Sequence, residues 1–213
     1  MTVRVGRSVG VAVLLGGVLL FASPGCSDEG IGDPCVPEQE YDQSFLGFDE
    51  KEVSVESKSF QCRTRLCLVN HFRGRVSCPY GQDASGNGPP NGGNCKVPGT
   101  ADAINGLIEQ GKPDSFRDPR KKALVAAQCV DRTADRAVYC SCRCADINGG
   151  KPSDQIFCEC PDGFRCERLV KSIGAGNEGL TGSYCIKDKS KFDPGDVCNK
   201  GDCDPNNKAT KCQ

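Results

Sequence analysis

Cys140-x-Cys142-x-Cys144, followed by Cys158-x-Cys160, is the spacing in this chain best suited to chemistry. In an extended strand, residues two apart share a face at roughly 7 Å from one another. The triplet then lines one face of a strand and the pair lines a face of the next. A disulfide needs Cα atoms about 4.4 to 6.8 Å apart, so neighbours within such a run do not bond each other. Each sulfur must reach another strand or loop, and the run reads as a hub of cross-links. The alternative is a thiolate cluster, because several thiols on one face also collect Zn or Cu(I). Against it, no C-x-x-C occurs anywhere in the chain, which removes the common zinc-ribbon and thioredoxin-type pairs, and no C-x-x-C-H is present for covalent haem.

His71 is the single histidine, in Asn70-His71-Phe72. A Ser-His-Asp or Cys-His hydrolase would have to use it, yet residues 26–213 hold no Gly-x-Ser-x-Gly elbow to accompany it, and it reads as an exposed residue at a strand end. A glycosidase-type carboxylate pair could be drawn from the 28 Asp and Glu, but the sequence singles out none. In the tail, Asp202, Asp204 and Asn206 alternate as the start of a calcium loop does. Asn207 stands in place of the required Gly and Gln213 in place of the closing Glu, so an Asp-Pro turn accounts for the run. No catalytic, cofactor-binding or metal-binding residue is therefore assigned, and no cofactor is expected.

The elements that must position these groups are short of apolar material. Leu, Ile, Val and Phe make up about 18% of residues 26–213, under the roughly 20% at which a chain lacks an ordinary core. That excludes a large hydrophobic-core enzyme. High net charge, the other mark of disorder, is missing, since 27 basic residues oppose 28 acidic ones. Cross-links must supply what the core does not. With 17 Cys, about 9% of residues 26–213, the chain falls among secreted disulfide scaffolds. The balanced charge, with no Lys/Arg block, argues against nucleic acid as a partner.

The N-terminus has the three parts of an export signal: Arg4 and Arg7, the apolar run from Val9 to Phe21, and the small residues Ser23-Pro24-Gly25. Gly10, Gly16 and Gly17 interrupt the run, which is shorter than the ~20 residues of a membrane span. Ending at Cys26, the segment resembles a bacterial lipoprotein signal, with Ser23 where that pattern usually has Leu. The resemblance implies cleavage after Gly25 and lipidation of the Cys26 thiol, and Ser27 implies the outer rather than the inner membrane. An ordinary signal peptidase could also cut after Gly25 and release a secreted form. Parity favours the lipid: 17 Cys is odd, and assigning Cys26 to an anchor leaves an even set for disulfides. That set is Cys35, Cys62, Cys67, Cys78, Cys95, Cys129, Cys140, Cys142, Cys144, Cys158, Cys160, Cys166, Cys185, Cys198, Cys203 and Cys212. More broadly, the chain resembles the cysteine-rich lipoproteins that some bacteria export, a likeness that implies a location and no activity.

The expected organisation is a signal peptide over residues 1–25, a tether over 26–34, a cysteine-rich β module over 35–80, a Gly/Pro/Asn linker over 81–94 and a second cysteine-rich β module over 95–213 with a stapled tail. Val53 and Val55, alternating with Glu52, Ser54 and Glu56, predict a half-exposed strand. Leu66–Val69 and Arg75–Cys78 read as a hairpin turning through Arg73-Gly74. Residues 100–111 and 118–128 carry weaker helical signals, with Asp118 as cap and Pro119 at a first helical position, although 118–128 also suits a strand. Val138–Cys144, Ile156–Cys160, Phe164–Val170 and Ser183–Ile186 predict an antiparallel meander broken by Gly- and Pro-bearing turns. The fold class is thus mostly β, small and disulfide-rich, with long loops.

Cys158-Glu159-Cys160-Pro161-Asp162-Gly163-Phe164 resembles the Cys-x-Cys-Pro-x-Gly-Phe corner of epidermal-growth-factor-like modules. The surrounding Cys spacing departs from that module, so the likeness implies shared turn chemistry alone. Gly32-Asp33-Pro34-Cys35 and Gly195-Asp196-Val197-Cys198 form a faint internal echo. The expected role is a non-catalytic binding or structural one at the cell envelope, with the membrane and a surface protein as partners. Alternatives are a protease inhibitor presenting residues 81–94 or 171–182, another enzyme-directed module, or a thiolate metal-binding protein.

Overall fold

In a computed structural model, which describes residues 30–89, 93–104, 124–170, 180–193 and Cys198, two small antiparallel sheets pack around an apolar layer. The first sheet has the order β1-β2-β3, with β1 at Val53–Glu56, β2 at Cys67–Asn70 and β3 at Val138–Cys140. The second has the order β4-β6-β5, with β4 at Arg143–Ala145, β5 at Phe164–Val170 and β6 at Gly182–Lys187. One helical turn, α1 at Ala134–Ala137, precedes β3, and a 3-10 turn spans Glu38–Tyr41. The protein is mostly β, small and disulfide-rich, as its composition predicts.

Period-two alternation explains how so few apolar residues hold two sheets. In register, Val55 faces Leu68 and Leu68 faces Tyr139, a row across the first sheet. Leu66, Leu68 and Tyr139, with Val53 and Val55 at their margin, meet Tyr184 and Ile186 of β6. The opposite face of the first sheet carries Cys67, Val69, Val138 and Cys140, which pack on Cys35, Cys62, Phe48 and Phe72. β2 is therefore buried on both faces, which is why Leu66-Cys67-Leu68-Val69 is continuously apolar. A fully buried side chain such as Leu68 contributes about 1.5–3 kcal/mol. On the outer face of the second sheet Cys142, Cys144 and Cys185 replace aliphatic side chains and pack on Ile31, Cys158 and Cys160.

Three expectations about elements need correction. Arg75–Cys78 does not form a hairpin with β2; β2 pairs with β1 and β3, and Arg75 and Cys78 bridge each other in a tight turn. The cause is Arg75 itself, whose fully buried guanidinium donates to the carbonyls of Phe45 and Glu40. Val138–Cys144 is not one strand. The chain crosses from the first sheet to the second at Ser141, whose N–H donates to Leu66 O at 3.0 Å and whose hydroxyl donates to Cys185 O at 2.8 Å. Ile156–Cys160 is irregular backbone, and the order β4-β6-β5 is not that of a sequential meander.

Most of the helical expectation for 100–128 falls on residues outside those described. Residues 100–104 and 124–128 are not helical, and the helical turn lies further on, at α1. The sheet built on β2 and β3 draws on both cysteine-rich segments, which the Cys62–Cys140 bridge also joins. The N-terminal arm extends that sheet: Gly32 N–H donates to Cys140 O, and Cys140 N–H to Asp33 O, each at 2.8 Å. Among the described residues no helix is long and apolar enough to cross a membrane.

Candidate functional site

Fourteen of the cysteines that the spacing marks for cross-links are paired in seven disulfides. Two brace the first sheet, Cys35–Cys67 and Cys62–Cys140. Cys78–Cys95 closes the 81–94 loop, and Cys129–Cys198 ties the start of the tail to the body. The hub splits three ways, into Cys142–Cys158, Cys144–Cys166 and Cys160–Cys185. The Cα separations of these bridges run from 4.9 to 6.2 Å, the usual range. Cys140, Cys142 and Cys144 each reach a different partner, and none bonds another member of the run. Cys26, Cys203 and Cys212 lie outside the described residues.

Cross-strand neighbours do not pair with one another. Cys67 faces Cys140 and Cys166 faces Cys185 in register, yet three of them bond residues outside the strands and Cys166 reaches β4 on the far side of β6. Every strand cysteine thereby pins something outside its own ladder. The sulfurs crowd as a result: Cys185 Sγ lies 3.6 Å from Cys142 Sγ and 3.7 Å from Cys158 Sγ. Among the described residues three sulfur triads of this kind occur, Cys35/Cys62/Cys140, Cys142/Cys158/Cys185 and Cys144/Cys160/Cys166, each within 4.8 Å. Each holds one bonded pair plus a sulfur of the adjoining bridge. A metal would need thiolates, so these groups could hold one only after reduction.

His71 stands at the end of β2 as its sequence context predicts, but half-buried rather than exposed. Its backbone is left-handed at φ 53°. The ring stacks on Phe192 at 3.7 Å, and Nδ1 is 3.0 Å from Glu50 O, so the neutral ring carries its proton there and donates it. Burial lowers the His71 pKa, the Glu50 carbonyl opposes that, and the Arg132 cation adds to it. Arg132, 5.6 Å from the Phe192 ring centroid, donates to the carbonyls of Asn70 and His71 at the end of β2 and to that of Ser190 beyond β6. A cleft of about 220 Å³ opens beside His71, walled by Arg165, Glu167, Ile186 and Phe192. Arg165 and Glu167, two residues apart on β5, form an ion pair of 2.7 Å at its wall.

Glu40 and Arg75 form the other buried polar centre. The Glu40 carboxylate accepts the N–H groups of Val76 and Ser77 and the Ser77 hydroxyl. Arg75 Nε lies 3.9 Å from it, and Gln128 Nε2 donates to Arg75 O at 3.0 Å. Desolvation lowers the Arg75 pKa, and the carboxylates of Glu40 and Asp42 hold it up. With both charges satisfied inside the protein, the pair positions the 3-10 turn against residues 75–77.

The feature that sequence reasoning missed is the loop 58–65. Phe60 is 85% exposed, with the Arg65 guanidinium 4.4 Å over its ring. A groove of about 460 Å³ runs from it past Val36 and Tyr41 to Glu38 and Glu56. Burial raises the Glu56 pKa, the Glu38 N–H it accepts opposes this, and the Glu38 charge adds to it. The available signal was an aromatic residue set between Lys58 and the arginines at 63 and 65, in a run without Asp or Glu. No protein-family model, curated protein or solved structure matches the chain.

Proposed function

We propose that this chain is an exported bacterial envelope protein, anchored through lipid on Cys26 with the outer membrane favoured, whose stapled body has a non-catalytic binding or structural role. The observation that carries the reading is the set of seven disulfides, which need an oxidising, extracytoplasmic compartment to form and persist. The N-terminal segment ending at Cys26 supplies the route there and the anchor. Two further observations support a non-catalytic role: the sole histidine is held by stacking and a carbonyl, and the paired cysteines have no thiolate to offer. The Cys78–Cys95 closure of residues 81–94 favours one second reading, an inhibitor that presents this loop to a protease.

The test is acylation and fractionation of the full chain in a bacterium with lipoprotein processing. The proposal expects radiolabelled fatty acid in the wild-type protein and none in Cys26→Ala, which shifts to the soluble fraction. Label retained by Cys26→Ala, or an unlabelled and soluble wild type, contradicts it. Inhibition of a protease panel that is lost on replacing residues 84–88 would make the inhibitor reading the stronger one.

A further inference from the structure

We infer that the loop 58–65 is a membrane-facing surface that seats the body on anionic lipid headgroups; the inference rests on the anchor at Cys26 proposed above. The packing of Gly30 fixes which face the anchor pulls down. Gly30 is buried between Asp33 and Arg63, where an added Cβ would lie 3.0 Å from Asp33 Oδ2 and 3.6 Å from the arginine's Cγ and Cδ. Between Gly30 and Cys26 there are only four peptide steps, a reach of at most about 14 Å when fully extended. A lipid on Cys26 therefore holds the side of the molecule bearing this loop within about 14 Å of the acylated cysteine, roughly the depth of two headgroup layers.

The loop has the composition that such a position calls for. It carries Lys58, Phe60, Arg63 and Arg65, all exposed, and no acidic residue. Aromatic rings partition to the headgroup level, and cations near the surface are attracted by anionic lipid. Arg65 over the Phe60 ring presents ring and charge as a unit.

The exposure of Phe60 is fixed by its surroundings. Ser59 before it is buried, and Cys62 after it is bonded to Cys140. Gln61 exchanges two hydrogen bonds with the Val36 backbone, at 3.0 and 2.7 Å. With the arm and β3 holding it on either side, the loop cannot fold its ring inward. Glu38 and Glu56 line the groove beside the loop, so it is the cationic loop, rather than the groove, that is set against the lipid.

Because the chain contains no Trp, Phe60→Trp introduces a single fluorescent reporter at an exposed position. The full lipidated protein carrying this change is reconstituted into phosphatidylethanolamine/phosphatidylglycerol vesicles, with and without brominated acyl chains. Flotation and intact mass report the anchor independently. The expected result is a blue-shifted indole emission, most of which is lost to brominated lipid. Adding Lys58→Glu and Arg65→Glu should abolish the quenching and return the emission to its buffer wavelength, as should vesicles of phosphatidylcholine alone. A protein that is acylated and floats, yet whose indole emits as in buffer and is unquenched, overturns the surface while leaving the anchor standing. A protein without acyl mass that does not float overturns the anchor, and the inference falls with it.

Discussion

Arg75 and Glu40 form an ion pair with both side chains fully buried. Removing one member of such a pair strands the other charge in a dry site, which costs about 3–5 kcal/mol. Arg75→Ala should accordingly lower the urea midpoint of the oxidised protein steeply. Arg75→Lys should recover little, because an ammonium cannot donate in the fork that reaches both Phe45 O and Glu40 O. At His71 the expected effect depends on pH. Burial depresses its pKa below the ordinary 6.5, so the unfolded chain binds the proton more readily than the folded one. The stabilisation is fully present above pH 6.5 and is lost as pH falls through the folded value. Denaturation midpoints of wild type and His71→Asn across this window should converge as the pH drops; parallel profiles would contradict the assignment. Neither buried arginine was legible in the sequence, since nothing sets Arg75 or Arg132 apart from the other cations until the carbonyls they cap are brought together in space. Phe60 was visible as an apolar residue beside cations, but its exposure depends on the Gln61–Val36 and Cys62–Cys140 contacts, both non-local.

At the scale of elements, the alternation of Val53–Glu56 and the runs Phe164–Val170 and Ser183–Ile186 carried their strands plainly, because each has one face on the shared apolar layer. The hairpin expected at 66–78 failed because β2 is a central strand, with partners both earlier and much later in the chain. Periodicity reports burial and is silent on which strand lies alongside. Val138–Cys144 failed for a related reason: its alternation is unbroken in sequence while its hydrogen bonds pass from one sheet to another at Ser141. Bridges between distant segments should matter most. Cys62–Cys140 spans 78 residues and Cys78–Cys95 spans 17, a difference worth about 1 kcal/mol in the chain-entropy account. Paired Cys→Ser replacement of the first should therefore destabilise more than that of the second, measured as midpoint shifts in urea. Equal shifts would mean that the other cross-links already confine the longer loop.

For the whole molecule, the bridges take over where the aliphatic core runs out. One apolar layer lies between the sheets, while half-cystines fill much of both outer faces. Cysteine content was enough to read a disulfide-rich class; the pairing had to come from the fold, because strand cysteines bond loops or, in Cys144–Cys166, the two outer strands of one sheet, rather than their ladder neighbours. The most direct test is a disulfide map of the purified protein, alkylated before digestion and then fragmented without reduction. The account predicts no alkylated cysteine among the fourteen paired residues, with Cys140, Cys142 and Cys144 linked in turn to Cys62, Cys158 and Cys166. Free thiols at these positions, or a bond between two members of that run, would contradict it.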